Sequence, residues 1–422
     1  MAPRKYALLA SALALTLAAW RAPLPASAAS NGALGRIVTV GDVHGDLAGL
    51  KTILKKSGIT DAQGNWAGGT STFVQTGDLL DRGPDDKAVL DFMIDLQKKA
   101  KQAGGRVISL LGNHEVMNMV GDWRYVSTDS YAPFIDNKSE KRRQELLKDT
   151  VKYLKRRAKS LKQEDPDLSQ AWQAQWMEDH PLGYVERRQA FDRKGSYGKW
   201  LRRQPAIAQL GGYVFLHGGI STRYSELSIK ELNKRILNEL KVFDSYREHL
   251  DSLGIILESF NLEEFSQAVR AELSLQTNQP DMRPFISGND MAAARARHRQ
   301  HVEFLKGVLG YGSWFSMHPN GPLWFRGYAE WEEEEGALLI QEIAQAYQAS
   351  AFIVGHTPQL EDGIQTRFEG RVVLIDTGLQ VEFYPGGIPS ALEISDGQFT
   401  AIYPDRQQVL LAPQALAAAK GQ

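Results

Sequence analysis

The chain has 422 residues, 43% hydrophobic and 23% charged, with a formal net charge of -1. Such a composition supports a large globular core and gives no general electrostatic pull toward nucleic acid or an anionic membrane. There are no cysteines, which excludes disulfides, thiolate metal sites and cysteine-nucleophile catalysis. Any chemistry must come from His, Asp, Glu, Asn, Arg, Ser or Tyr.

The first predicted element is a targeting segment. Arg4 and Lys5 precede an apolar run from Ala7 to Ala19, and Ala26-Ser27-Ala28 supplies small residues in a cleavage pattern. This reads as a secretory signal peptide over residues 1–28, so the protein is expected to be exported, periplasmic or secreted. The run is shorter than the roughly 20 residues of a membrane span, and no stable membrane anchor is expected.

Short apolar segments follow, each ending on polar residues beside glycine. "RIVTV" runs into Gly41-Asp42, "STFVQT" into Gly77-Asp78 and "RVISLL" into Gly112-Asn113-His114-Glu115. Further on, "YVFL" runs into His217-Gly218-Gly219, "AFIV" into Gly355-His356-Thr357 and "RVVLI" into Asp376-Thr377-Gly378. Each reads as a buried strand of an α/β fold, with polar residues at its carboxyl end, where such sheets carry function. Between the first strands lie amphipathic helices. In one, Leu47, Leu50, Ile53 and Leu54 share a face, Gly58 marks the stop and Asp46 is the cap.

Two long segments, near 138–203 and 225–308, carry helical periodicity and few strand features. They read as helical insertions in one domain spanning 29–411, followed by a tail over 412–422. The basic stretch "KDTVKYLKRRAKSLK" reads as a solvated helix face, not a nucleic-acid site. The acidic run from Glu332 to Glu335 is expected to open a helix.

The strand ends would bring together Asp42, His44, Asp78, Asn113, His217 and His356, with His114 and two arginines nearby. Oxygen and imidazole donors without sulfur suit Mn, Fe, Zn or Ni. Six donors are too many for one catalytic ion with open positions; they suit two divalent ions about 3.5–4 Å apart, bridged by a carboxylate. Singly, each residue has a plainer reading as a helix cap, a turn residue or a core histidine. Six at six strand ends are not explained that way. The other five histidines, His180, His249, His298, His301 and His318, are left structural or unassigned.

These motifs resemble, in order and spacing, those of the calcineurin-like metallophosphoesterases. The first three are Gly41-Asp42-Val43-His44-Gly45, Gly77-Asp78-Leu79-Leu80-Asp81-Arg82-Gly83 and Gly112-Asn113-His114-Glu115. His217-Gly218-Gly219 and Gly355-His356-Thr357 complete the set. Asp81-Arg82-Gly83 points to the phosphoprotein phosphatase branch, and "GPLWFRGYAEW" is similar to a segment of the Shewanella-like protein phosphatases. The Gly-His-Thr ending departs from eukaryotic Ser/Thr phosphatases.

The resemblance implies a β-sandwich flanked by helices (αββα) and two divalent ions, with manganese favoured. Asp42 and His44 would hold one ion, Asp78 would bridge, and Asn113, His217 and His356 would hold the other. It further implies in-line attack of metal-bound hydroxide on a phosphomonoester. His114 would act as the general acid, Asp81 would orient it, and Arg82 and Arg326 would bind phosphate. The implied partner is a phosphorylated substrate, a phosphoprotein or phosphopeptide on Ser/Thr or Tyr. The same core would also serve a symmetrical dinucleoside tetraphosphate hydrolase or another small-molecule phosphoesterase. A non-catalytic binding protein on this fold would lack ligands that are all present here.

Overall fold

A computed structural model of the chain describes residues 35–413, apart from 162, 279, 281 and 287–289. The expected signal peptide, and all but the first two residues of the expected tail, lie outside these residues. Two sheets form the centre. The first has the order β11-β10-β9-β1-β2-β3, built from β1 (Ile37–Val40), β2 (Thr72–Gln75), β3 (Arg106–Ser109), β9 (Ala391–Ser395), β10 (Gln398–Ile402) and β11 (Gln407–Leu411). The second has the order β4-β5-β6-β8-β7, built from β4 (Ile207–Leu210), β5 (Tyr213–Leu216), β6 (Ala351–Val354), β7 (Gln365–Arg367) and β8 (Val372–Leu374).

Side-chain alternation explains the layering. Ile37, Val74, Ile108, Phe215, Ile353 and Val373 lie in one apolar cluster, which joins the two sheets. Their strand neighbours Val38, Phe73, Val107, Val214, Phe352 and Val372 lie in another, with the helices. A strand with apolar residues on both faces must be covered on both, by the opposite sheet and by helices. The six segments expected as strands are these parallel triplets: β1, β2 and β3 in one sheet, and β5, β6 and β8 in the other. Parallel pairing puts three carboxyl ends on the same edge of each sheet.

Five strands were not anticipated. β7, β9, β10 and β11 pair antiparallel, and β4 forms a hairpin with β5. β11 is exposed or half-buried along its length, and its apolar run is only Val409-Leu410-Leu411 after two glutamines.

The helices follow their patterns. α1 (Leu47–Lys56) buries Leu50, Ile53 and Leu54, and the Asp46 carboxylate caps it by accepting from Gly49 N at 2.7 Å. α2 (Asp86–Gln102) and α3 (Asn113–Val120) follow β2 and β3. Between α3 and β4 come α4 (Ser139–Leu161), α5 (Gln170–Asp179), α6 (Tyr184–Phe191) and α7 (Ser196–Leu201). After β5 come α8 (Ile229–Ser252), α9 (Leu262–Asn278), α10 (Met291–Leu309) and the short α11 (Gly327–Glu330). The two helical groups are joined by hydrogen bonds: Tyr153 Oη donates to Ile255 O at 2.7 Å and Tyr184 Oη to Ser259 O at 3.3 Å. α12 (Glu333–Tyr347) opens on Glu332 with three glutamates in its first turn, where the helix dipole favours them. No helix among the described residues is long and apolar enough to cross a membrane.

Candidate metal centre and phosphate site

The loops after β1 and β2 are laid on one another. Val43 N and His44 N both donate to Asp78 O, at 2.9 and 3.0 Å, and Gly45 N donates to Leu79 O at 2.9 Å. Two residues apart, Asp42 and His44 would share one side of a fully extended segment. Instead the chain turns: His44 has φ 48°, because both amides of the turn are held by one carbonyl. Asp78, Asp81, Arg82 and His356 are also left-handed, at φ 57°, 70°, 70° and 69°. Such conformations cost about 1–3 kcal/mol each and persist only where the surroundings enforce them. The backbone must also approach the acids closely. A Cβ on Gly112 would fall 2.1 Å from Asp78 Oδ1, and one on Gly355 would fall 2.3 Å from Asp42 Oδ1.

Asp42, His44, Asp78, Asn113, His217 and His356 come together, all buried. Each histidine is fixed by a main-chain carbonyl: His44 Nδ1 by Leu80 O at 2.9 Å, His217 Nδ1 by Thr76 O at 3.1 Å and His356 Nε2 by Trp324 O at 3.1 Å. A proton on each of those nitrogens leaves the other ring nitrogen as a lone pair facing the cluster. His217 Nε2 then lies 2.9 Å from Asn113 Oδ1 and 3.2 Å from Asp78 Oδ2. Asn113 turns its amide nitrogen away, toward Met117 Sδ at 3.9 Å. His217 Nε2 therefore has two acceptor oxygens within hydrogen-bond distance, and a cation among these three atoms satisfies all of them. On the other side, His44 Nε2 is 3.8 Å from both Asp42 Oδ2 and Asp78 Oδ2. Ligand-capable atoms form two groups that share Asp78: His44, Asp78 and His114, and Asp78, His217 and His356. The donor set fits two divalent ions bridged by Asp78.

His114 stands at the edge of this cluster. Its Nδ1 donates to Asp81 Oδ2 at 2.7 Å, and its Nε2 lies 3.7 Å from Asp78 Oδ2. Burial pulls the ring toward neutrality, but the Asp78 charge and the Asp81 hydrogen bond outweigh it and raise its pKa above the usual imidazole value. Arg82 reaches the same point, with Nη1 at 2.8 Å from His44 Nε2 and Nη2 at 3.5 Å from His114 Nε2. Its guanidinium carbon lies 5.0 Å from the Phe383 ring, 5.1 Å from Tyr384 and 6.0 Å from Tyr125. Arg326 is brought to the loop after β6, donating from Nη1 to His356 O at 2.9 Å and Thr357 Oγ1 at 3.1 Å.

Residues 35–360 match the calcineurin-like phosphoesterase family. The chain belongs to that family. Its members bind two divalent metal ions, and this phosphoesterase is accordingly a metal-dependent hydrolase of phosphoesters. It is 28% identical over 375 residues to Shewanella-like protein phosphatase 1 of Plasmodium berghei, covering 87% of this chain and 74% of that one. It is 29% identical over 220 residues to Shewanella-like protein phosphatase 2 of Arabidopsis thaliana, covering 50% of this chain and 53% of that one. Its fold is similar to a cold-active protein-tyrosine phosphatase of a psychrophilic Shewanella species, with TM-score 0.54, 23% identity and coverage of 90% and 81%.

Two acids of the phosphoesterase site were not assigned from sequence. Glu115 is fully buried, and its carboxylate accepts from Gly112 N at 2.7 Å, Asp78 N at 2.8 Å and Leu79 N at 2.8 Å. It ties the loops after β2 and β3 together directly beneath Asp78. Burial, reinforced by the Asp78 charge, pushes its pKa up to about 7 against those hydrogen bonds. Asp376, at the end of β8, is buried beside Asp42, and its Oδ2 has no hydrogen-bond partner. Burial pushes Asp376 up to about 6. Burial also raises Asp42 well above the usual carboxylate range, with Asp376 and Asp78 adding to the effect. Acids packed this closely call for nearby positive charge, which divalent ions supply. Asp376 was detectable: it ends an apolar strand beside glycine, as the assigned residues do.

Proposed function

We propose that the protein is a phosphomonoesterase acting on phosphorylated proteins or peptides. The observation that carries this reading is the buried His114–Asp81 pair set beside the Asp78-centred ligand cluster. That places a proton donor next to a site for two cations. When bound, two divalent ions would neutralise the phosphate dianion and acidify the attacking water; the sulfur-free donors suit Mn, Fe, Zn or Ni, and the resemblance favours manganese.

The chain's own residues do the rest. Asp42 and His44 hold one side of the cluster, Asn113, His217 and His356 the other, and Asp78 joins them. Arg82 and Arg326 bind the phosphate oxygens through their planar forks. Asp81 keeps His114 in one tautomer, with Nε2 directed at the departing oxygen. As the P–O bond breaks, that nitrogen gives its proton to the leaving alkoxide or phenoxide. The names of the Plasmodium and Arabidopsis relatives support a protein substrate. The signal-like residues 1–28 support action after export.

The rim favours an aromatic leaving group. Tyr125 and Phe383 stand beside Arg82 and are 43% and 51% exposed, leaving ring faces for a phenol. Contacts of this kind are worth roughly 1 kcal/mol, or about fivefold in rate. Phosphotyrosine peptide, phosphoserine peptide and diadenosine tetraphosphate, assayed in parallel on the manganese-loaded enzyme, test the reading. The expected order of kcat/KM is phosphotyrosine, then phosphoserine about fivefold below it, with the dinucleotide below both. A dinucleotide preferred over both peptides would establish the phosphoanhydride reading instead.

A further inference from the structure

Arg187 lies on α6, within the first helical insertion, and is 0% exposed. A fully buried guanidinium is expensive unless it does a specific job. Its Nη2 donates to Asn118 Oδ1 at 2.7 Å and to Asp86 Oδ2 at 3.0 Å, and stands 3.8 Å from Asp81 Oδ1. Its two partners are the residues that hold Asp81. Asn118 Nδ2 donates to Asp81 Oδ1 at 2.9 Å and to His114 O at 2.9 Å. Asp86 Oδ1 accepts from Asp81 N at 2.7 Å, which pins the left-handed Asp81 backbone at φ 70°. One cation thus grips Asp81 from its carboxylate side and from its main-chain side.

The guanidinium is itself held rigidly. Its carbon lies 4.7 Å from the Phe191 ring, 5.4 Å from Trp123 and 5.6 Å from Tyr131. These rings exclude water from the network, where hydrogen bonds are stronger and geometry is better defined. Nε and Nη1 make no hydrogen bond, so the Nη2 contacts and the ring stacking together decide where Arg187 sits.

We propose that Arg187 is a positioning residue for the His114–Asp81 pair, so that the helical insertion completes the proton-donating part of the site. Arg187 touches neither substrate nor metal. It fixes the Asp81 carboxylate through Asn118 and Asp86, and Asp81 aims His114 at the leaving oxygen. This inference rests on the reading of His114 as the proton donor.

The test is leaving-group dependence in the manganese-loaded enzyme. Phenyl phosphate leaves as a basic oxygen and needs the proton; 2,4-dinitrophenyl phosphate leaves as a stable anion and does not. Arg187→Met is expected to lower kcat on phenyl phosphate by about 30-fold or more and on the dinitrophenyl ester by less than about threefold, with KM little changed. Arg187→Lys keeps the charge and one nitrogen for both partners but loses the planar stacking on Phe191, Trp123 and Tyr131, so it is expected to show the same pattern at intermediate size. Should Arg187→Met fail to fold, Arg187→Lys carries the test. Equal losses on both esters in the variant that folds, or no loss, would overturn the proposal. His114→Asn on the same two esters separates the layers. If it shows no leaving-group selectivity, the proton-donor reading fails. If it does and the Arg187 variants do not, only the positioning role fails.

Discussion

His114→Asn is expected to lower kcat on a phosphopeptide by about 10²- to 10⁴-fold, or roughly 3–5 kcal/mol of transition-state stabilisation. KM and metal content are expected to stay close to those of the parent. Asparagine keeps a hydrogen bond to Asp81 and fills much of the same space, but it has no proton to give at the position of Nε2. The ring is confined on both sides: Asp81 holds Nδ1 at 2.7 Å, and the backbone N–H of His114 donates to Asp78 Oδ1 at 3.0 Å. Removing the imidazole therefore deletes the proton donor and leaves the Asp78 carboxylate anchored by the main chain. Steady-state kinetics with metal analysis of the same preparation checks this. Loss of metal alongside activity would instead make His114 a ligand, a role its place 3.7 Å from Asp78 Oδ2 also permits.

Asp78→Asn is expected to have the opposite signature, losing metal and activity together. Both ligand groups contain Asp78, and its Oδ2 lies within 3.8 Å of His44, His114 and His217. Despite burial, the histidines packed around it hold its carboxyl well below the usual range, so it is the anion around which they are arranged. Asparagine is nearly isosteric but neutral and cannot bridge two cations. Metal content should fall from two ions to at most one, and kcat by about 10³-fold or more, given that losing a single electrostatic stabiliser of the transition state costs about 10²- to 10³-fold. Circular dichroism should be unchanged, since the main-chain contacts to Glu115 do not involve the Asp78 side chain.

Much of this architecture was legible because parallel strands buried on both faces announce themselves as apolar runs. β1, β2, β3, β5, β6 and β8 all do so, and each ends where the chain must turn and show polar residues. The antiparallel strands β9 to β11 mix polar and apolar residues because part of each faces water, so their pattern is weaker. For the site, residue identity was more informative than local geometry. Asp42 and His44 could be paired from spacing, but not the turn that pairs them, which depends on Asp78 O from a loop 34 residues away. Glu115 and Asp376 stood in quoted motifs and went unassigned, since their work is to hold backbone amides and to crowd Asp42, and spacing does not reveal such contacts. Arg187 carried no sequence signal at all. It sits in a charged, helix-periodic segment, and only tertiary packing turns it inward toward Asp81.

The site is expected to take up two divalent ions per chain, held by side chains from both sheets, and to need them for phosphoester hydrolysis. Titrating manganese into chelator-stripped protein while following p-nitrophenyl phosphate turnover and bound metal by elemental analysis tests this most directly. Negligible turnover is expected in stripped protein, with activity saturating at two bound ions per chain. Full activity with the metal removed, or saturation with a single ion bound, would contradict this.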